Sequence, residues 1–146
     1  MSNNQIVFYY SVDSTISTIT KFTVDNSIIN ETINGPINTR PFSDPKSKQL
    51  GTFAIHQIIY NINDIDESGR YDATGQITFF LPGGAIQGNI AIRLIKNNQN
   101  NFVGPPDKTI IYKIVSGTGL FLDSTGTIQI TLNPISLERK VLICFQ

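Results

Sequence analysis

A chain of 146 residues fits one domain over residues 1–146 and is long enough to bury a core without disulfide or metal staples. Basic and acidic residues balance at 11 each, and the chain is 40% hydrophobic and 15% charged. This composition argues against disorder and gives no footprint for nucleic acid or an anionic membrane. One cysteine, Cys144, excludes an internal disulfide framework and any multi-cysteine metal site. Within its apolar run it reads as a small buried hydrophobe rather than a reactive thiol.

Taken in chain order, "NQIVFYY" (4–10) and "ISTITKFTV" (16–24) are β-rich runs. The N-terminal stretch has no basic region followed by an apolar one, so no signal peptide is expected. No apolar stretch approaches the ~20 residues of a membrane helix. The expected location is therefore soluble, either cytoplasmic or within a virion-type assembly. The glycosylation-type triplet Asn30-Glu31-Thr32 is expected to be silent. The polar, proline-bearing stretch 33–49 is expected to run as a long excursion over the fold.

"LGTFAIHQIIYNI" (50–62) is a long strand candidate, closed by the turn-rich 63–70. The carboxylates of "NDIDE" (63–67) lack calcium-loop spacing and suit a solvated hairpin tip. "YDATGQITFFL" (71–81) alternates strictly, as does 86–95, and Gly83-Gly84 between them supplies a tight turn. Residues 71–95 are thus a hairpin with one apolar face, with Arg70 and Arg93 on its polar side set to pair with neighbouring carboxylates. "KNNQNNFVGPPD" (96–107) is a low-complexity loop, expected as a mobile flap at one end of the fold. Runs at 109–115, 126–132 and 139–145 complete about eight strands with short connections. The fold class expected is all-β, an eight-stranded antiparallel β-barrel.

"VSGTGLFLDSTGTIQITL" (115–132) interrupts that alternation with Gly117, Gly119 and Gly126. Glycines there permit a strand to break at a barrel corner, Phe121 can fold under the barrel as a plug, and Gly126 restarts the next strand. With Thr118 and Ser124 this segment resembles the Gly-Thr-Gly-x-aromatic-x-x-small-x-Gly signature of the allene oxide cyclase and dirigent barrel superfamily. It departs from the common form in having Ser116 where a glycine is usual. The segments 41–60 and 69–90 are similar to the family in order and spacing, Gly88 included, so the resemblance covers about residues 40–146. It implies an eight-stranded barrel, often trimeric, with a pocket at one mouth.

In that family the barrel catalyses by holding a reactive or flexible substrate in one shape and excluding water. Carried over on the resemblance, the cyclase pocket cysteine falls on Gln57, a pocket tyrosine on Ile90, and a loop asparagine near Asp44, while an aromatic is kept as Tyr71. These departures weigh against the cyclase reaction itself, and catalytic residues stay unassigned.

Strand parity sends Phe53, Ile55, Gln57 and Ile59 inward with Tyr71, Ile77, Phe79, Ile90 and Ile92. Parity and the resemblance together give the pocket candidates Gln57, Tyr71, Phe53, Phe79 and Ile90, with Asp44 added by the resemblance alone. Gln57 can orient a ligand carbonyl or hydroxyl, or bond the backbone at a barrel corner. The same parity puts His56 outside with Ala54, Ile58, Tyr60 and Ile62, an apolar strip of the kind that marks subunit contacts, so His56, Ile58 and Tyr60 are interface candidates. No serine or carboxylate lies at triad spacing from His56.

Two functions follow. One is a cofactor-free, metal-free homo-oligomeric barrel, a trimer or larger, that binds an apolar small molecule and guides its cyclisation or coupling. The other is a structural subunit of a virion or filament. An interior of several hundred Å³ with Gln57 and Tyr71 at its mouth would favour the first. An interior filled by Phe79, Ile90, Ile92 and Phe121 would favour the second.

Overall fold

The computed structural model describes residues 4–25, 27–60, 62, 63, 65, 69–105, 109–132 and 136–146. Its strands are β1 (Gln5–Ser11), β2 (Thr18–Thr23), β3 (Ile29–Asn38), β4 (Gln49–Ile59), β5 (Tyr71–Leu81), β6 (Gly84–Lys96), β7 (Phe102–Val103), β8 (Ile110–Gly117), β9 (Gly126–Leu132) and β10 (Glu138–Phe145). The sheet runs β1-β10-β9-β8-β6-β5-β4-β3, every pairing antiparallel, and closes where Tyr9 of β1 meets Asn38 of β3. The result is an all-β, closed eight-stranded antiparallel barrel, with β2 appended to β3 and the short β7 to β6. Closure removes the open strand edges that an unclosed sheet would present. Among the described residues no helix is long and apolar enough to cross a membrane.

The barrel differs from the expected strand set at one place. Ile29–Asn38 is a wall strand, whereas 16–24 supplies only the appended β2. Residues 33–38 of the expected 33–49 excursion therefore belong to this ten-residue strand, and the excursion shrinks to the loop 39–48. Alternation was present in β3: Ile33 and Ile37 are buried inward on the parity of Glu31, while Asn30, Thr32 and Asn34 take the other parity. Gly35 and Pro36 disguised it. Pro36 is paired to Thr52 of β4, past the last β2 partner at Asn34 and before the closure at Asn38, where a missing N–H is tolerable.

Inward positions build the core. Phe8, Phe53, Phe79, Ile33, Ile37, Ile77, Ile86, Ile128, Ile130, Val141 and Ile143 are all buried, each side chain contributing about 1.5–3 kcal/mol relative to exposure. Phe8 meets Phe79 edge-on at 4.8 Å and Tyr10 lies against Phe53 at 4.4 Å. The β5–β6 hairpin turns at Pro82-Gly83 with Leu81 opposite Gly84; only Gly83 has a positive φ, 95°, and Gly84 already belongs to the strand.

At the glycine segment the strand pattern breaks and restarts. β8 ends at Gly117, a single 3-10 turn spans Gly119–Phe121, and β9 begins at Gly126. Gly119 and Gly126 have φ of 59° and 133°, a region that favours glycine. Thr118 pins the turn to the β5–β6 hairpin, exchanging bonds with Ala85 at 2.9 and 3.0 Å. Phe121 is half-buried and stacks on Phe145 at 6.1 Å, closing the barrel at this end. Cys144 is half-buried on the outer parity, with the side-chain amides of Gln5 and Gln129 each 3.9 Å from its sulfur, and so is not a core residue.

Candidate functional site at the barrel mouth

At the opposite end the mouth is filled by the chain itself. Asn101, Phe102, Val103, Gly104 and Pro105 are all buried. The expected flap thus lies at a barrel end, as placed, but Asn101–Pro105 is seated in the mouth rather than lying free over it. Its polar stem is self-bonded: the Asn97 side chain accepts from the Gln99 and Asn101 N–H groups at 3.0 Å, and Asn97 N–H donates to the Asn101 carbonyl at 2.9 Å. Asn and Gly tolerate such tight local bonding better than other residues, and Asn100 takes up a φ of 62°.

Two inward side chains hold the plug. The Gln57 amide nitrogen donates to Glu31 Oε1 at 2.7 Å and to the Phe102 carbonyl at 2.9 Å, while Phe102 N–H donates to Glu31 Oε2 at 3.2 Å. Glu31 and Gln57 face each other across β3 and β4 and are both buried. Burial raises the Glu31 carboxyl above its ordinary value, and the bonds from Phe102 and Gln57 and the charge of Lys21 oppose that rise. Lys21, on the appended β2, donates to the Asn100 carbonyl and to Asn101 Oδ1 and lies 6.0 Å from the Phe102 ring centre. Lys96 lies 5.3 Å from the same ring, and Tyr71 stands edge-on to it at 5.2 Å.

Behind the plug sits a second polar group. Arg139 of β10 is 2% exposed and faces inward opposite Tyr10 of β1. Its Nη1 and Nη2 are sealed from solvent and have no hydrogen-bond partner among the described residues. Tyr10 and the buried Tyr112 of β8 share the space; burial pushes the Tyr10 phenol up to about 12 against the pull of Arg139, and raises Tyr112 as well. Burial also holds Arg139 below the usual guanidinium value, opposed by the two tyrosines. The cavity lined by Gln57, Phe102, Tyr10, Tyr112 and Arg139 measures only about 20 Å³. The interior is thus filled in this state, by the plug and by the core aromatics.

Two further spaces abut that cavity. A groove of about 650 Å³ on the rim is lined by Ile95, Lys96, Val103, Leu132, Leu137 and Arg139, with Asp13 and the stem asparagines. A side slot of about 240 Å³ opens where β6 and β8 part beyond Asn89 and Lys113, between Ile90, Ile92, Pro105 and Ile110.

The sequence candidates fall at different places. Gln57 and Tyr71 each contact Phe102 at the mouth. Phe53 and Phe79 are packed core and do not line the cavity. Ile90 is half-buried at the side slot. Asp44 lies on the loop 39–48, 3.6 Å from Arg40 and accepting Lys46 N–H, and lines none of these spaces. That loop is tied to β10 by Phe42 N–H donating to Glu138. His56 is outside and exposed, 3.3 Å from Asn30 Oδ1, and Tyr60 bonds Thr74 at 2.8 Å. Ile58 and Tyr60 are half-buried rather than forming a bare apolar strip. Arg93 pairs with Asp72 at 3.2 Å. The carboxylates Asp64, Asp66 and Glu67 of the 63–67 tip lie outside the described residues, among which no cluster suited to a metal ion occurs.

Sequence reasoning passed over Glu31, Tyr10, Tyr112 and Arg139. The available signal was an acid and a base at inward parity in otherwise apolar strands.

No family model matches this chain, and no curated protein matches it. Solved structures do. One is a pyocyanin demethylase, with TM-score 0.61 at 11% identity over 97% of this chain and 99% of that one. Another is a nonspecific heme-binding cyclase that catalyses a cycloaddition during neoabyssomicin biosynthesis, with TM-score 0.60 at 12% identity over 99% of this chain and 68% of that one. At such identities the similarity establishes a shared small β-barrel fold, and it is to that fold that the chain is assigned.

Proposed function

We propose that the chain is a small-molecule-binding barrel of the allene oxide cyclase and dirigent type, taking an organic ligand with an apolar body at the mouth now closed by Asn101–Pro105. The observation that carries this reading is the plug itself. A barrel that served only as a rigid block would fill its mouth with strand side chains. Here a separate segment fills it, held by a buried acid and amide whose burial is unfavourable without partners. The solved neighbours, a demethylase and a cyclase by description, support a ligand-handling barrel, and the Gly117-Thr118-Gly119 to Gly126 segment supports the narrower family. Guidance of cyclisation or coupling would come from holding the ligand's shape in a dry site. The chain would work as a homo-oligomer, with the wall around His56, Ile58 and Tyr60 as the contact face.

A structural subunit is the second reading. It is favoured by the nearly filled interior and by Leu120 and Leu122, which are 81% and 68% exposed at the closed end. Native mass spectrometry of the protein purified from its own source separates the two. A discrete small oligomer carrying a small molecule that Gln57→Leu fails to retain supports the ligand barrel. Empty subunits running into large assemblies refute it.

A further inference from the structure

Among the described residues nothing answers the charge of Arg139. Its two Nη atoms lack acceptors and its guanidinium pairs with no carboxylate among the described residues. The carboxylates facing this region are committed elsewhere. Glu31 takes the Gln57 and Phe102 donors, Glu138 takes Phe42 N–H, and Asp13 takes Thr15 and Gln99. A guanidinium is not deprotonated in a protein, so the charge persists. One water needs roughly 10–15 Å³, so the adjoining cavity of about 20 Å³ has room for a single water and not for the partners both Nη groups require.

The surroundings say what would satisfy it. Val103, Gly104 and Arg139 line both the small cavity and the rim groove of about 650 Å³, so two plug residues and the Arg139 side chain lie where the two spaces adjoin. The groove is within the roughly 300–1,000 Å³ usual for organic ligands. Ile95, Leu132, Leu137 and Val103 offer it an apolar wall, and Lys96 supplies a second cation against the single carboxylate of Asp13. An Arg fork donates two parallel bonds to a planar carboxylate, and the Tyr10 and Tyr112 phenols, which burial keeps protonated, line the same cavity as further donors.

We propose that Arg139 is the anchor for the carboxylate of an organic acid whose apolar body lies along the rim groove, the Val103–Gly104 stretch giving way to bring the two together. This rests on the ligand-binding reading above and names the ligand's chemical class. Arg139 would then be a binding residue retained in spite of its burial, not a part of the resting core.

The test compares 2-naphthoate with its neutral isostere 2-naphthamide, by thermal shift and by calorimetric titration, on the native chain, Arg139→Met and Arg139→Lys. The expected result is that the acid binds the native chain at least tenfold more tightly than the amide and raises its Tm. Arg139→Met should lose that preference while being, without ligand, at least as thermostable as the native chain. If Arg139→Met does not fold, Arg139→Lys decides, with acid binding expected at least tenfold weaker because the fork is gone. Equal binding of acid and amide, unchanged in the variants, would overturn the carboxylate assignment and leave an apolar-ligand barrel standing. No binding of either compound, with Arg139→Met less stable than the native chain, would make Arg139 structural and overturn it as well.

Discussion

Phe102→Ala probes whether the mouth is truly part of the packed interior. Phe102 is 1% exposed and is contacted edge-on by Tyr71 at 5.2 Å, with Lys96 at 5.3 Å from its centre. Truncating a buried phenylalanine costs roughly 3–5 kcal/mol, the lost transfer energy plus the void left behind. The backbone at 102 is tied on both sides, N–H to Glu31 and carbonyl to Gln57, so the segment cannot collapse to refill the space. The void would also merge with the cavity of about 20 Å³ behind it. Both facts place the expected loss near the middle of that range, about 4 kcal/mol. For a domain of this size 1 kcal/mol moves Tm by about 2–4 °C, so a fall of roughly 8–16 °C is expected. Urea unfolding should show a lower midpoint at unchanged slope. Benzene or indole, filling the vacated ring site, should restore several degrees. A loss under about 1 kcal/mol, with no response to either compound, would refute the claim that Asn101–Pro105 is a seated plug.

Gln57→Leu removes the donor that joins Glu31 to the Phe102 carbonyl and leaves both short of a partner; a loss of about 2–4 kcal/mol is expected in chemical denaturation. Glu31 sets a pH dependence. Its folded carboxyl titrates above the ordinary 4.5, so the stability it contributes is fully present below the unfolded value and is lost as pH rises through the folded one. The stability of the native chain relative to Glu31→Gln should therefore decline from pH 4 towards neutrality, and a relative gain with rising pH would contradict the burial argument. Gly126→Ala should destabilise by several kcal/mol, because a side chain at φ 133° is strained and its Cβ would collide with the Cys144 carbonyl; calorimetry should show the loss with the fold retained in circular dichroism.

Local alternation determined a large part of this molecule. In β4, β5, β6, β8, β9 and β10 the period of two set which side chains face in, so Gln57 inside and His56 outside could be read directly, as could the turn, aromatic and restart of residues 117–126. About eight such strands with short connections also pointed to a barrel, one of the ways an apolar-faced sheet covers its edges.

What alternation does not carry is who stands across the barrel from whom. The sequence offered 16–24 for a wall position and read 33–49 as an excursion, and it is closure between Tyr9 and Asn38 that puts 29–38 in the wall instead. That choice turned Glu31 from one residue of a polar triplet into a buried acid facing Gln57. Arg139 and Lys140 are adjacent in "RKVLICF", and one of two neighbouring cations must face inward in any strand; pairing with Tyr10 selected Arg139. The plug is the clearest case. "NNQNNFVGPP" has the composition of a surface loop, and its one aromatic is buried because Glu31, Gln57, Lys21 and Tyr71, from four different strands, converge on it. Composition sets what a segment can do alone, whereas its burial here depended on partners brought together by the closed barrel from positions up to 81 residues away in the chain, as Lys21 and Phe102 are.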